Sequence, residues 1–185
     1  MRETVFQKEW RTSFMYWYPK VHFVKVPDMP RVGDSRFVPR KPYDCYAVVD
    51  GRFMAFELKW MKSLTGFAFD NVTTYQIDSL MEVYQNGGGA YIVINYRKYD
   101  VSEKHQKQFE VMKRVNFVAI MDVMHFVALD ESGDSASIPF QQILDDENIL
   151  IVPKKRGEEY WNFERILSYI TPIYEGENAS KLESH

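Results

Sequence analysis

The sequence predicts a mixed α/β fold, a mixed β-sheet flanked by helices, and three observations carry that expectation. Tyr43 to Val49 and Arg52 to Lys59 are extended runs joined by Asp50-Gly51, the dipeptide of a two-residue hairpin. A helical pattern then runs from Asn71 to a stop at Gly87-Gly88-Gly89. Beyond the stop, Ala90 to Tyr96 is an Ile- and Val-rich run of the kind buried on both faces, and a strand entered through a helical crossover favours a mixed sheet.

The remaining elements follow in order. Glu3 to about Tyr16 reads as a helix with Val5, Phe6, Trp10 and Phe14 near one face. Val21 to Val26 is a strand, and Pro27 to Arg40 a breaker-rich connection too long for a tight turn. After the hairpin and a loop from Trp60 to Asp70, Asn71 is placed to cap a helix whose Tyr75, Leu80, Val83 and Tyr84 are core candidates. Glu103 to Arg114 is read as a further helix, and Phe117 to Met121 and Val123 to Leu129 as edge strand. Ser137-Ile138-Pro139 opens a short helix, Ile149 to Val152 is a small strand, and Glu159 to Ile170 a C-terminal amphipathic helix. One domain is expected over 1–175, with 176–185 as a disordered tail.

Composition narrows the class. With 185 residues, 45% hydrophobic and 16% aromatic, the chain can bury a core without staples. Its one cysteine, Cys45, excludes an internal disulfide framework, suits a reducing cytoplasm, and has no histidine at a spacing that would activate it as a nucleophile. No apolar stretch approaches a membrane span, and Arg2, Glu3, Lys8 and Glu9 interrupt any secretory hydrophobic segment, so a cytoplasmic protein without membrane partners is expected.

The net charge of −3 argues against indiscriminate coating of nucleic acid. It hides an asymmetry, however: residues 1–63 hold twelve Lys and Arg against seven Asp and Glu, and the remainder eleven against nineteen. Arg31, Arg36, Arg40 and Lys41, in the long connection, could reach phosphates or could form a solvated loop. Lys62 and Ser63 pose the same choice.

Within the basic part lies the pattern with chemistry in it. Asp44 sits across the predicted hairpin from Glu57; Glu57 and Lys59 project from one strand face, while Met54, Phe56 and Leu58 project from the other; Gln76 follows on the next helix. A strand end emerging into solvent would explain Glu57 and Lys59 alone. Oxygen ligands beside an ammonium also suit metal-dependent cleavage of a phosphodiester, where cations and a lysine offset charge on the attacked phosphate.

These residues resemble the PD-(D/E)xK nucleases and, among them, the RecU-type Holliday-junction resolvases. The resemblance runs from Pro42-Tyr43-Asp44-Cys45-Tyr46 through Gly51-Arg52-Phe53-Met54-Ala55-Phe56-Glu57-Leu58-Lys59 to Asn71, Gln76-Ile77 and Leu80, and covers about Lys41 to Tyr96. It implies a restriction-endonuclease-like core. It also implies Asp44 and Glu57 as metal ligands, the Leu58 carbonyl as a further ligand, Lys59 as the catalytic lysine and Gln76 as a supporting residue. The implied cofactor is Mg²⁺, with Mn²⁺ as substitute, and the implied substrate is four-way or other branched DNA cut by a homodimer in recombination or repair. Proline is not adjacent to the aspartate, and where many relatives carry a first-helix glutamate the aligned position is Gln7, leaving Glu9 or Glu3 as candidates for that role. Competing readings are a relative acting on flaps, ends or duplex DNA, and a non-catalytic DNA-binding protein of the same fold.

Other features carry less. Gly87-Gly88-Gly89 lacks the Gly-Lys-Ser/Thr that would make it a phosphate cradle. His22, His105 and His125 have no ligand spacing. Asp145-Asp146-Glu147 reads as a solvated turn, and Phe14, Tyr16, Trp17 and Tyr18 as core more than base-stacking residues.

Overall fold

Alternating apolar positions build a six-stranded sheet covered on both faces. In the computed structural model, which describes residues 3–27, 40–133 and 135–170, the chain opens with helix α1 (Glu3–Trp17) and strand β1 (His22–Lys25). The hairpin strands β2 (Cys45–Val49) and β3 (Arg52–Met61) meet at Asp50-Gly51. Both turn residues have positive φ, 50° and 78°, which is what a mirror-image two-residue turn demands and why Asp-Gly occupies it. The short strand β4 (Phe67–Ala68) and a 3₁₀ turn lead to helix α2 (Thr74–Gln85), which returns the chain to β5 (Gly89–Lys98). There follow α3 (Glu103–Phe109), β6 (Val115–Asp122), α4 (Val123–Glu131), β7 (Ser137–Ile138), α5 (Phe140–Asp145), β8 (Leu150–Pro153) and α6 (Phe163–Ile170).

The main sheet has the order β1-β2-β3-β5-β6-β8, and β4 pairs with β7 in a separate two-stranded ribbon. The pair β3–β5 is parallel, with Glu57 beside Ile92 and Lys59 beside Ile94, and the other main-sheet pairs are antiparallel. The predicted crossover through α2 and the mixed sheet are both present.

Alternation along β3 and β5 divides the core in two. Ala55, Ile92, Ile94 and Tyr96 face one side, where Leu80 of α2 and Val123 and Phe126 of α4 pack. Met54, Phe56, Leu58, Tyr91 and Val93 face the other, beneath Phe6, Trp10 and Phe14 of α1 and Phe163, Ile166 and Ile170 of α6. The Trp10 and Phe14 rings lie 4.8 and 4.2 Å from that of Phe163. Each such buried side chain contributes about 1.5–3 kcal/mol relative to exposure. Val5, expected on this face, is exposed.

Several boundaries and one element differ from expectation. Thr73, not Asn71, caps α2, because its hydroxyl accepts the Gln76 N–H and completes a capping box. The helix from Glu103 ends at Phe109, where Glu110 adopts a left-handed conformation with φ 51°. Val123 to Glu131 is helix α4 and not edge strand: Asp122 Oδ1 accepts the His125 N–H at 2.9 Å and starts it, and the helix is apolar because it packs against the sheet and α2. The C-terminal helix begins at Phe163, four residues later than expected. Residues 176–185, and Arg31 and Arg36 of the long connection, lie outside the described residues. No helix among the described residues is long and apolar enough to cross a membrane.

Candidate active site

The hairpin and the crossover bring Asp44, Glu57, Lys59 and Gln76 together. Glu57 and Lys59 lie on the face of β3 that looks toward α2, as their two-residue spacing requires. Asp44 immediately precedes β2. Its backbone N–H donates to the Phe56 carbonyl at 3.1 Å, and its Oδ2 accepts the Leu58 N–H at 3.0 Å, so the carboxylate itself continues the strand pairing past Phe56.

Each carboxylate holds a lysine. Lys59 Nζ is 2.7 Å from Glu57 Oε1, and Lys41 Nζ is 2.6 Å from Asp44 Oδ1. Lys41, read from sequence among the phosphate-contacting residues of the loop, thus stands within the carboxylate pair. Arg40 is exposed, as are Lys62 and Ser63; the Ser63 hydroxyl pairs with that of Thr65 at 2.9 Å.

Gln76 is fixed from two sides. Its Oε1 accepts the Thr73 N–H at 3.0 Å and lies 3.1 Å from the Thr73 hydroxyl, as the third helical residue of a capping box does. Because the amide oxygen is committed there, Nε2 faces the sheet and donates to Glu57 Oε1 at 2.7 Å. The supporting role that the resemblance implies for Gln76 is left unspecified by the sequence; in the structure its hydrogen-bond partner is Glu57.

Glu57 is 1% exposed, and its second oxygen, Oε2, is buried without a hydrogen-bond partner among the described residues. Burial, reinforced by the Asp44 charge, raises its pKa to about 7, against the opposing pull of Lys59 and Lys41. A buried carboxylate oxygen with no donor is costly unless something positive meets it. Burial, then Asp44 and Glu57, push the Cys45 thiol well above its ordinary pKa, which disfavours the thiolate.

Glu9 of the first helix does not join this group. Glu9 receives two hydrogen bonds from Arg97, 3.1 Å from Nη1 and 2.5 Å from Nη2, and lies 3.6 Å from Lys154 Nζ. Arg97 is 5% exposed, so Glu9 neutralises a buried guanidinium. The α1 residue that lines a cavity with Asp44 is Gln7. Nothing is described of the Glu3 side chain. His125 bonds Asp146 at 2.9 Å, and no group of three or more His, Cys, Asp and Glu suited to a metal occurs among the described residues.

Two carboxylates, a lysine and an amide thus meet on a mixed β-sheet, and the molecule is an α/β protein. The family model described as RecU, recombination protein U, matches residues 20–158, and the chain belongs to that family. Membership carries the family's activity, junction resolution by a nuclease in recombination. Among solved structures, the chain is similar to Hjc, a Holliday junction resolvase of the archaeal hyperthermophile Archaeoglobus fulgidus, with 16% identity, coverage of 74% of this chain and 98% of that one, and a TM-score of 0.31. None of the curated proteins matches.

Proposed function

We propose that this chain is a Mg²⁺-dependent endonuclease, with Mn²⁺ able to substitute, that acts as a homodimer and hydrolyses DNA phosphodiesters at a four-way junction. The observation that carries the reading is the buried Glu57 Oε2, without a hydrogen-bond partner among the described residues, beside Asp44 and with Lys59 on the same carboxylate. That donor set fits a hard divalent cation, which prefers carboxylate and carbonyl oxygens. Asp44 and Glu57 would hold it with the Leu58 carbonyl; when bound, it supplies positive charge for phosphate oxygens and acidifies water.

The chain's own residues do the rest. Gln76 keeps Glu57 oriented and leaves Oε2 clear. Lys59, 18% exposed, is anchored at its carboxylate yet reaches solvent, where its ammonium can meet charge developing on the phosphate. In the hydrolysis a water gives up a proton as its oxygen bonds to phosphorus, the bond from phosphorus to one deoxyribose oxygen breaks, and the departing oxygen takes up a proton.

Asp44→Asn and Glu57→Gln should each abolish Mg²⁺-dependent cleavage of a four-way junction while leaving a folded protein, since each removes charge with little volume change. Cleavage assays with circular dichroism on the same preparations test this. Wild-type turnover with unchanged metal dependence in either variant would overturn the ligand set.

A further inference from the structure

Helix α1 divides into three stripes. Phe6, Trp10 and Phe14 face the core, and Glu9 faces Arg97. The third stripe, Thr4, Gln7, Lys8 and Arg11 at helical spacing, faces a cavity of about 210 Å³ whose opposite wall includes Asp44 and, from β1, Lys25. Lys8, Arg11 and Lys25 are exposed, and their side chains make no hydrogen bond or ion pair among the described residues.

The charge balance around this cavity is one-sided. Both oxygens of Asp44 are already engaged, by Lys41 and by the Leu58 N–H. Gln7 is neutral. Three cations without partners among the described residues therefore line a cavity beside a carboxylate that already has its own, on the α1 side of the sheet, while Glu57, Lys59 and Gln76 stand on the α2 side. Such a place repels a further metal ion and attracts an anion.

We propose that this cavity is a backbone-phosphate site, in which Lys8, Arg11 and Lys25 hold a DNA phosphate next to the one being cleaved. The inference rests on the nuclease reading and adds a second anchor to it. A strand held on the α1 side and cut on the α2 side would cross the end of the sheet at Asp44, and fixing the neighbouring phosphate would set which bond reaches the carboxylates.

The test is the salt dependence of junction binding without divalent cations, read by fluorescence anisotropy across a potassium chloride series. The variant Lys8→Gln, Arg11→Gln, Lys25→Gln is compared with Lys20→Gln, Arg52→Gln, Arg165→Gln. That control makes the same change in net charge; Lys20 lines a cavity with Asp50 of the hairpin turn, Arg52 adjoins the turn, and Arg165 lies on α6. Each phosphate contact contributes about 0.9 to the slope of log K against log salt. The cavity variant should flatten that slope by about 0.9, the control by less than half as much, and the exchange Lys8→Arg, Arg11→Lys, Lys25→Arg should keep it at the wild-type value. A slope that falls no further than in the control, or that the charge-keeping exchange also flattens, overturns the site. The two readings fail separately: a wild type that cuts junctions but whose slope ignores the cavity variant loses only this site. A wild type that binds with the cavity-dependent slope and cuts nothing loses only the nuclease.

Discussion

At the scale of residues, Glu57 is the side chain whose environment is most at odds with its charge. Its folded pKa, about 7, lies above the ordinary carboxylate value, so the folded state binds a proton that the unfolded chain has lost. In the metal-free protein that linkage lowers stability as pH rises from about 4.5 through 7. Glu57→Gln has no such titration. Relative to wild type, its melting temperature without metal should therefore rise between pH 5 and pH 8, and a constant difference over that range would show that the carboxyl is not held up. Gln76 offers a second handle: Gln76→Glu keeps an acceptor for the Thr73 N–H but removes the donor to Glu57, so turnover should fall at least tenfold, about 1.4 kcal/mol. Single-turnover cleavage at saturating DNA measures it; unchanged turnover would reduce Gln76 to a helix cap.

At the scale of elements, Glu9 ties α1 to Arg97 and Lys154 and stands apart from the Asp44–Glu57 pair. Glu9→Ala would remove the carboxylate that Arg97 and Lys154 share and should cost on the order of 3 kcal/mol in denaturant unfolding, with cleavage per folded molecule retained. Lost turnover at full stability would return Glu9 to the active site. This pairing was illegible in the sequence because 88 residues separate its partners and only the sheet brings them together. The hairpin and the crossover were legible because each is written locally, in Asp50-Gly51, in two-residue alternation, and in a helix between two strands. Helix α4 was misread as strand because it is apolar on most sides and so lacks helical periodicity, though Asp122 carried the signal of a helix start. Thr73-Thr74-Tyr75-Gln76 likewise fits the Ser/Thr-x-x-Glu/Gln start that Asn71 displaced. Among the candidate-site residues, spacing brought out Asp44, Glu57, Lys59 and Gln76, which the fold places together, whereas Lys41's pairing with Asp44 and Gln7's place at the cavity depend on how loop and helix fold back.

At the scale of the whole molecule, two symmetric cuts require two sites, and each chain supplies one carboxylate pair. If the proposed homodimer forms, it should bind a four-way junction well above linear duplex and introduce paired nicks symmetric about the branch point, with shape setting the preference. Sedimentation of the protein with junction and duplex, together with mapping of the nicks, checks both halves. A monomer at working concentration, or equal cutting of both substrates, would redirect the reading to flaps, ends or duplex.

The amide at position 76 ties the start of a helix to the charge of a distant strand. Helix-cap chemistry accepts glutamate or glutamine in this place, since either offers an oxygen to the Thr73 N–H. Only glutamine also brings a donor to Glu57. A library randomised at this codon would consequently divide according to what is selected. Sorting for well-formed α2 would admit both residues, whereas sorting for DNA cleavage would keep the amide, so the divergence between the two pools would report how strongly the reaction, beyond the fold, dictates one letter of the sequence.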